Sequence, residues 1–117
     1  MKKIILASAL AAVAITAHSA GSLTAGSNSV AANTSGGTGN CELLSANVTI
    51  TLSTSNIGYY DCNSTSASIG LGIGNTSGKN KVYSLGSAGG AITETTLSAV
   101  PTTTNAQTQA QTKSASS

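Results

Sequence analysis

One stretch of this 117-residue chain has residue types and spacing that could do chemistry: SIGLGIGNTSGKNK, Ser68 to Lys81, where spaced glycines run into Gly78 and Lys79. A P-loop needs Gly, four residues, then Gly-Lys-Ser/Thr between a strand and a helix. Backbone N–H groups then cradle phosphate while the hydroxyl holds Mg²⁺. Here three residues separate Gly74 from Gly78, Asn80 stands in the hydroxyl position, and a strand pattern follows in place of a helix. The dinucleotide pattern Gly-x-Gly-x-x-Gly fails too, because Ser77 holds the third glycine position after Gly72 and Gly74 and no βαβ unit surrounds it. NTSGKN therefore reads as the polar loop of a β-hairpin joining strands around Leu71 and Tyr83, with Gly78 free to take positive φ.

The other chemically capable groups are scattered. The only histidine, His18, falls in the leader described below, so catalysis would rest on a Ser–Lys pair or on Glu42, Asp61 and Glu94. None of these has a supporting local pattern, and an enzyme, a metal or a cofactor is not expected. Cys41 and Cys62 cannot complete a zinc site without further ligands, and twenty intervening residues are unlike a redox Cys-x-x-Cys. Cys41 follows TGN, far from the leader, and does not read as a lipid-modified cysteine. The pair reads as a structural disulfide, stabilising by about 3 kcal/mol on the chain-entropy estimate.

NIGYYDC is the one cluster with binding character: Tyr59 and Tyr60 beside Asp61 could stack on and hydrogen-bond a sugar or a protein surface. The plainer reading makes Tyr59 or Tyr60 the main core aromatic and Asp61 the end of its segment. Four Asn-x-Ser/Thr sequons, at Asn33, Asn47, Asn63 and Asn75, matter only in a host that glycosylates exported proteins. The tetrapeptide NTSG occurs at Asn33 and Asn75, a weak repeat in so biased a composition.

The elements that must position these groups begin with a leader. MKKIILASALAAVAITAHSA has two lysines, an apolar run from Ile4 to Ile15 and then small residues, the pattern of a secretory signal peptide over residues 1–20. The apolar run is about 12 residues where a membrane-spanning helix needs about 20. Cleavage after Ser19 puts Ala17 at the third position back, and cleavage after Gly21 puts Ser19 there; cleavage after Ala20 would put bulky His18 there. The remaining chain has three lysines, Lys79, Lys81 and Lys113, against Glu42, Asp61 and Glu94, and no arginine. A neutral chain of this kind offers no basic surface for nucleic acid and no cationic amphipathic segment to attack a membrane.

Leu, Ile and Val together number 16 after the leader, and Phe and Trp are absent, so the core must be small and a staple or neighbours should support it. Residues 21–39 read as a flexible Gly/Ser/Asn-rich lead, 40–98 as one small β-domain and 99–117 as a disordered Thr/Gln/Ser tail. The expected fold is all-β, a disulfide-stapled meander or sandwich of three to five short strands. In NVTITLS, Val48, Ile50 and Leu52 alternate with hydroxyl residues, the strongest strand pattern. In SIGLGIG, Ile69, Leu71 and Ile73 share one face while Gly70, Gly72 and Gly74 leave the other bare. That face invites close approach by a sheet, a tyrosine or another copy.

Two function classes fit. One is an exported surface or extracellular structural protein whose β-edges, with Val48, Ile50, Leu52 and the Gly70, Gly72 and Gly74 face, add to neighbouring copies or to another surface protein. The other is a secreted monomeric binding module that recognises glycan or a host protein through Tyr59, Tyr60 and Asp61. In composition alone the chain resembles bacterial pilins and adhesins, with no family motif to carry over.

Overall fold

The computed structural model describes residues 18–32 and 41–116. Its first half is a long antiparallel ribbon with a sharp bend. β1 (His18–Leu23) pairs with β4 (Asn56–Asn63), and β2 (Gly26–Val30) pairs with β3 (Val48–Leu52). At the bend Gly26 takes φ 100° and Ser55 φ 66°. Left-handed backbone lets the chain turn there at no steric cost to glycine. Asn28 clamps this corner: its Nδ2 donates to the Thr24 carbonyl at 2.8 Å, and its Oδ1 accepts from the Thr24 N–H at 3.0 Å.

β4 continues through hairpins into β5 (Ser68–Asn75), β6 (Lys81–Gly86) and β7 (Thr93–Thr96), giving a five-stranded antiparallel sheet in the order β1-β4-β5-β6-β7. The β2–β3 pair is the second sheet, a flap that lies over one face of the first. The Cys41–Cys62 disulfide, with Cα atoms 5.7 Å apart, ties the segment between the flap strands to β4. Buried Val30, Cys41 and Cys62 form the small core there, with Leu44, Ile50, Tyr60 and Ile69 packed against it. The all-β, disulfide-stapled architecture expected from the sequence is thus present, and the NTSGKN hairpin joins β5 to β6.

The segments flanking the expected domain differ from their sequence reading. The lead contributes half of β1, Gly21–Leu23, and all of β2, while His18–Ala20 of the expected leader supply the other half of β1, because Gly, Ser and Ala pair through their backbones against β4 and β3 whatever their side chains; residues 33–40 lie outside the described residues. The supposed disordered tail contains α1 (Thr103–Ser114). A capping box starts it: the Thr102 hydroxyl accepts from the Asn105 N–H at 3.3 Å, and the Asn105 side chain accepts from the Thr102 N–H at 2.9 Å. Thr108 and Thr112 return their hydroxyls to carbonyls one turn earlier, so these polar groups do not compete with the helix from outside. The final turn carries Lys113, the favourable charge at a helix C-terminus. Gly78 keeps φ outside the left-handed region; the Asn75 side chain closes that turn by accepting from the Ser77 N–H at 3.0 Å.

α1 covers the bare face of β5. In this strand the glycines are the buried positions, and Ile69, Leu71 and Ile73 are only half-buried. A Cβ added at Gly70 would lie 1.8 Å from the Ala110 carbonyl oxygen, one at Gly72 2.3 Å from that of Ala106, and one at Gly74 2.6 Å from the Pro101 ring. The occupant of the face is therefore the chain's own helix, not a tyrosine or a second copy. Among the described residues no helix is long and apolar enough to cross a membrane.

Gly70→Ala is expected to destabilise by about 3 kcal/mol, the upper end for overpacking, and to lower Tm by roughly 10 °C or more. Thermal unfolding of the oxidised protein, followed by circular dichroism, reads this directly; an unchanged Tm would contradict the packing.

Candidate functional site

Alternation along β4 and β5 sorts the candidate residues onto two faces. Cross-strand partners share a face, so the rung Tyr60–Leu71–Leu85 lies on the flap side, and Asp61–Gly70 and Tyr59–Gly72 lie on the helix side. Tyr59, Tyr60 and Asp61 are therefore not brought together. Tyr60 lays its ring across Gly21 of β1, with Cε1 2.8 Å from where a Cβ would stand, and packs against the disulfide core. Asp61 is 1% exposed beneath α1, where its Oδ2 accepts the Ser114 hydroxyl. The Ser66 hydroxyl donates to the Ser114 carbonyl beside it, so the last turn of α1 is fixed by β4 and by the turn between β4 and β5. This carboxylate serves the helix dock and is out of reach of a sugar or a host surface.

Between the flap and the sheet lies an apolar groove of about 250 Å³. Val48 and Ile50 of β3 face Tyr60, Ile69, Leu71 and Leu85 across it, and among the described residues no charged one lines it. Val48 and Leu85 are each 41% exposed at its mouth. One step beyond the Ser84–Thr93 rung, at the end of the β6–β7 ladder, Ile92 is 65% exposed. The assembly candidates thus divide: Val48 and Ile50 line an open apolar groove, Leu52 is buried at the ribbon's bend, and Gly70, Gly72 and Gly74 are covered.

The second open feature is the edge of the five-stranded sheet at β7. The Leu97 N–H donates to the Asn80 carbonyl at 2.7 Å, which continues the ladder and fixes its phase. Thr93 and Thr95 then point their backbone groups toward β6, while those of Glu94 and Thr96 point outward, where the sheet has no further strand among the described residues. Side chains secure β7 from both faces. Lys113 Nζ of α1 donates to Thr93 Oγ1 at 2.5 Å, and Thr95 Oγ1 donates to Gln109 Oε1 at 3.2 Å. On the flap side Lys81 Nζ meets Glu94 Oε1 at 2.5 Å.

Hydrogen bonding from Lys81, with the Tyr83 hydroxyl adding to it, holds the Glu94 carboxyl below its ordinary range, and the same carboxylate raises Lys81 and Tyr83. The pair is exposed, so its contribution to stability is small. No three His, Cys, Asp or Glu side chains gather as a metal site would need among the described residues. The groove and the β7 edge were not singled out from sequence. The signal for the groove was Leu85 recurring on the Leu71 face, which becomes visible only once the register is known.

Glu94 has a depressed folded-state pKa, so its stabilisation is present above its unfolded value and is lost as pH falls through the folded value. The Tm gap between wild type and Glu94→Gln is expected to be steady near neutrality and to narrow as pH drops below about 4.5. A gap that widened on acidification would contradict the ion pair.

Compared with known proteins, the chain matches no family model, no curated protein and no solved structure.

Proposed function

We propose that this chain is an exported, non-enzymatic structural protein of the cell surface or extracellular space, a subunit that joins copies of itself as a fibre, pilus or matrix subunit does. The open β7 edge carries the reading. Its outward backbone groups at Glu94 and Thr96 are a template on which another strand can pair, and exposed Ile92 and Leu85 stand at the end of the same ladder. Lys81 neutralises Glu94, so the edge lacks the uncompensated charge that commonly blocks strand addition. The disulfide is compatible with an oxidising, exported setting.

The alternative, a monomeric adhesin-like module that grips glycan or a host protein through Tyr59, Tyr60 and Asp61, has less support. Those side chains lie on opposite faces of the sheet, and Asp61 is covered by α1.

Sedimentation velocity over a wide concentration range, with negative-stain imaging of the same samples, tests the proposal. Wild type is expected to grow into regular filaments or rings. Thr96→Pro, which removes an outward N–H and leaves the β6 pairing intact, is expected to stay monomeric with its Tm nearly unchanged. A compact wild-type monomer at every concentration overturns self-assembly, and assembly that survives Thr96→Pro overturns the β7 contact.

A further inference from the structure

We propose that the apolar groove between flap and sheet receives Ile92 of a second copy of this chain, so that a side chain presented on the β6–β7 loop of one molecule fills the groove of the next. The inference rests on the self-assembly reading above and gives that assembly a second contact surface.

The β6–β7 loop presents its side chains to solvent. Every residue from Ser87 to Ile92 is exposed. Gly89 and Gly90 take φ 99° and 95°, and no atom lies within 4 Å of where a Cβ would stand on either, so this part of the loop holds clear of the domain. Ile92, 65% exposed, is the most exposed large aliphatic among the described residues. It is left in water by a chain that has only 16 Leu, Ile and Val after its leader. The β6–β7 register brings Ile92 level with Leu85, which stands at the mouth of the groove, yet Ile92 does not line the groove itself. A protruding aliphatic side chain and an open apolar groove therefore stand side by side, and neither covers the other.

The groove has the size and the chemistry for such an occupant. An apolar cavity of about 150 Å³ stays dry and takes up benzene. At about 250 Å³ this groove has room for an isoleucine side chain, which is smaller than that ring, together with part of its neighbour. The two lining residues with polar side-chain atoms direct them elsewhere: the Ser87 hydroxyl accepts from the Ile69 N–H at 2.8 Å, and the Tyr60 hydroxyl lies over Gly21 of β1. A charged or strongly polar occupant would lose its hydration there without a partner in return. The disulfide, whose Cys41 lines the groove, ties the flap segment to β4, so the receiving surface is already formed. Side chain and groove are different patches. A copy whose groove is filled still presents its own Ile92, and the contact can pass from copy to copy.

Sedimentation velocity on the oxidised protein tests the contact, with thermal melts of each variant. Ile92→Ser is expected to raise the concentration at half-assembly about tenfold or more, the loss expected from one buried aliphatic side chain, with Tm unchanged because the position is exposed. Val48→Lys, which puts a charge at the groove mouth, is expected to weaken assembly from the receiving side. At a concentration where neither variant associates alone, an equal mixture is expected to associate, because Ile92 of the Val48→Lys copies enters the intact groove of the Ile92→Ser copies. Ile92→Ser that assembles at wild-type concentrations overturns the groove contact and leaves the β7 reading standing. So does a mixture that stays monomeric while both variants keep the wild-type Tm; if Val48→Lys loses that Tm, Ile92→Ser decides alone. A wild type that is monomeric at every concentration overturns both readings.

Discussion

The fold depends on the absence of three side chains. Gly70, Gly72 and Gly74 leave β5 flat on one face, and the backbone of α1 approaches to a distance no Cβ would allow. The periods match well enough for this contact to repeat. Residues two apart on a strand are separated by about 6.7 Å and residues four apart on a helix by about 6 Å, so Ala106 and Ala110 fall over Gly72 and Gly70 in turn. The helix is poor by intrinsic propensity, rich in Thr, Gln and Asn and lacking large apolar residues, and a 12-residue helix is marginal in water on its own. Close packing against a glycine floor, with Val82 fully buried beside it, replaces the hydrophobic stripe that a typical surface helix would use.

That choice decides what each face of the sheet can do. The helix side is closed with small residues and hydroxyls: Ser68, Ser84 and Ser114 are buried there, and Asp61 accepts from Ser114 at the end of the dock. The larger aliphatics are displaced to the other side, where Ile69, Leu71 and Leu85 meet the β2–β3 flap. The flap has too few large residues to cover them, and a groove results. The disulfide holds the flap segment against β4 where apolar burial is thin, as expected for a chain with so few aliphatics. The apolar groove is therefore a consequence of a small core.

Much of this was legible in the sequence. The period-2 pattern at Val48, Ile50 and Leu52, the bare face of Gly70, Gly72 and Gly74, the NTSGKN hairpin and the Cys41–Cys62 pair each follow from local chemistry, and the structure carries all of them. The tail was misread because helix reasoning looks for large apolar residues at i, i+3 and i+4, whereas this helix meets the sheet through Ala106, Ala110 and Ser114. The legible signal was joint: a Thr102-x-x-Asn105 cap followed by small residues every four positions, in a chain already owed a partner for three glycines. β1 and β2 were hidden for a related reason, since their Gly- and Ser-rich sequences pair by backbone and carry no amphipathic pattern. Strand geometry divides the Tyr59, Tyr60 and Asp61 cluster, because neighbours in a strand point to opposite faces: Tyr60 lies on the flap side, Tyr59 and Asp61 on the helix side.

The most direct test of the α1 dock is residue-resolved amide hydrogen exchange on the oxidised full chain. The account predicts that the Ala106 and Ala110 amides are protected to within about tenfold of the β5 ladder, since helix and strand open together as one cooperative unit. Exchange of those two amides at the rate of an unstructured peptide, with β5 still protected, would contradict it and leave the glycine face open.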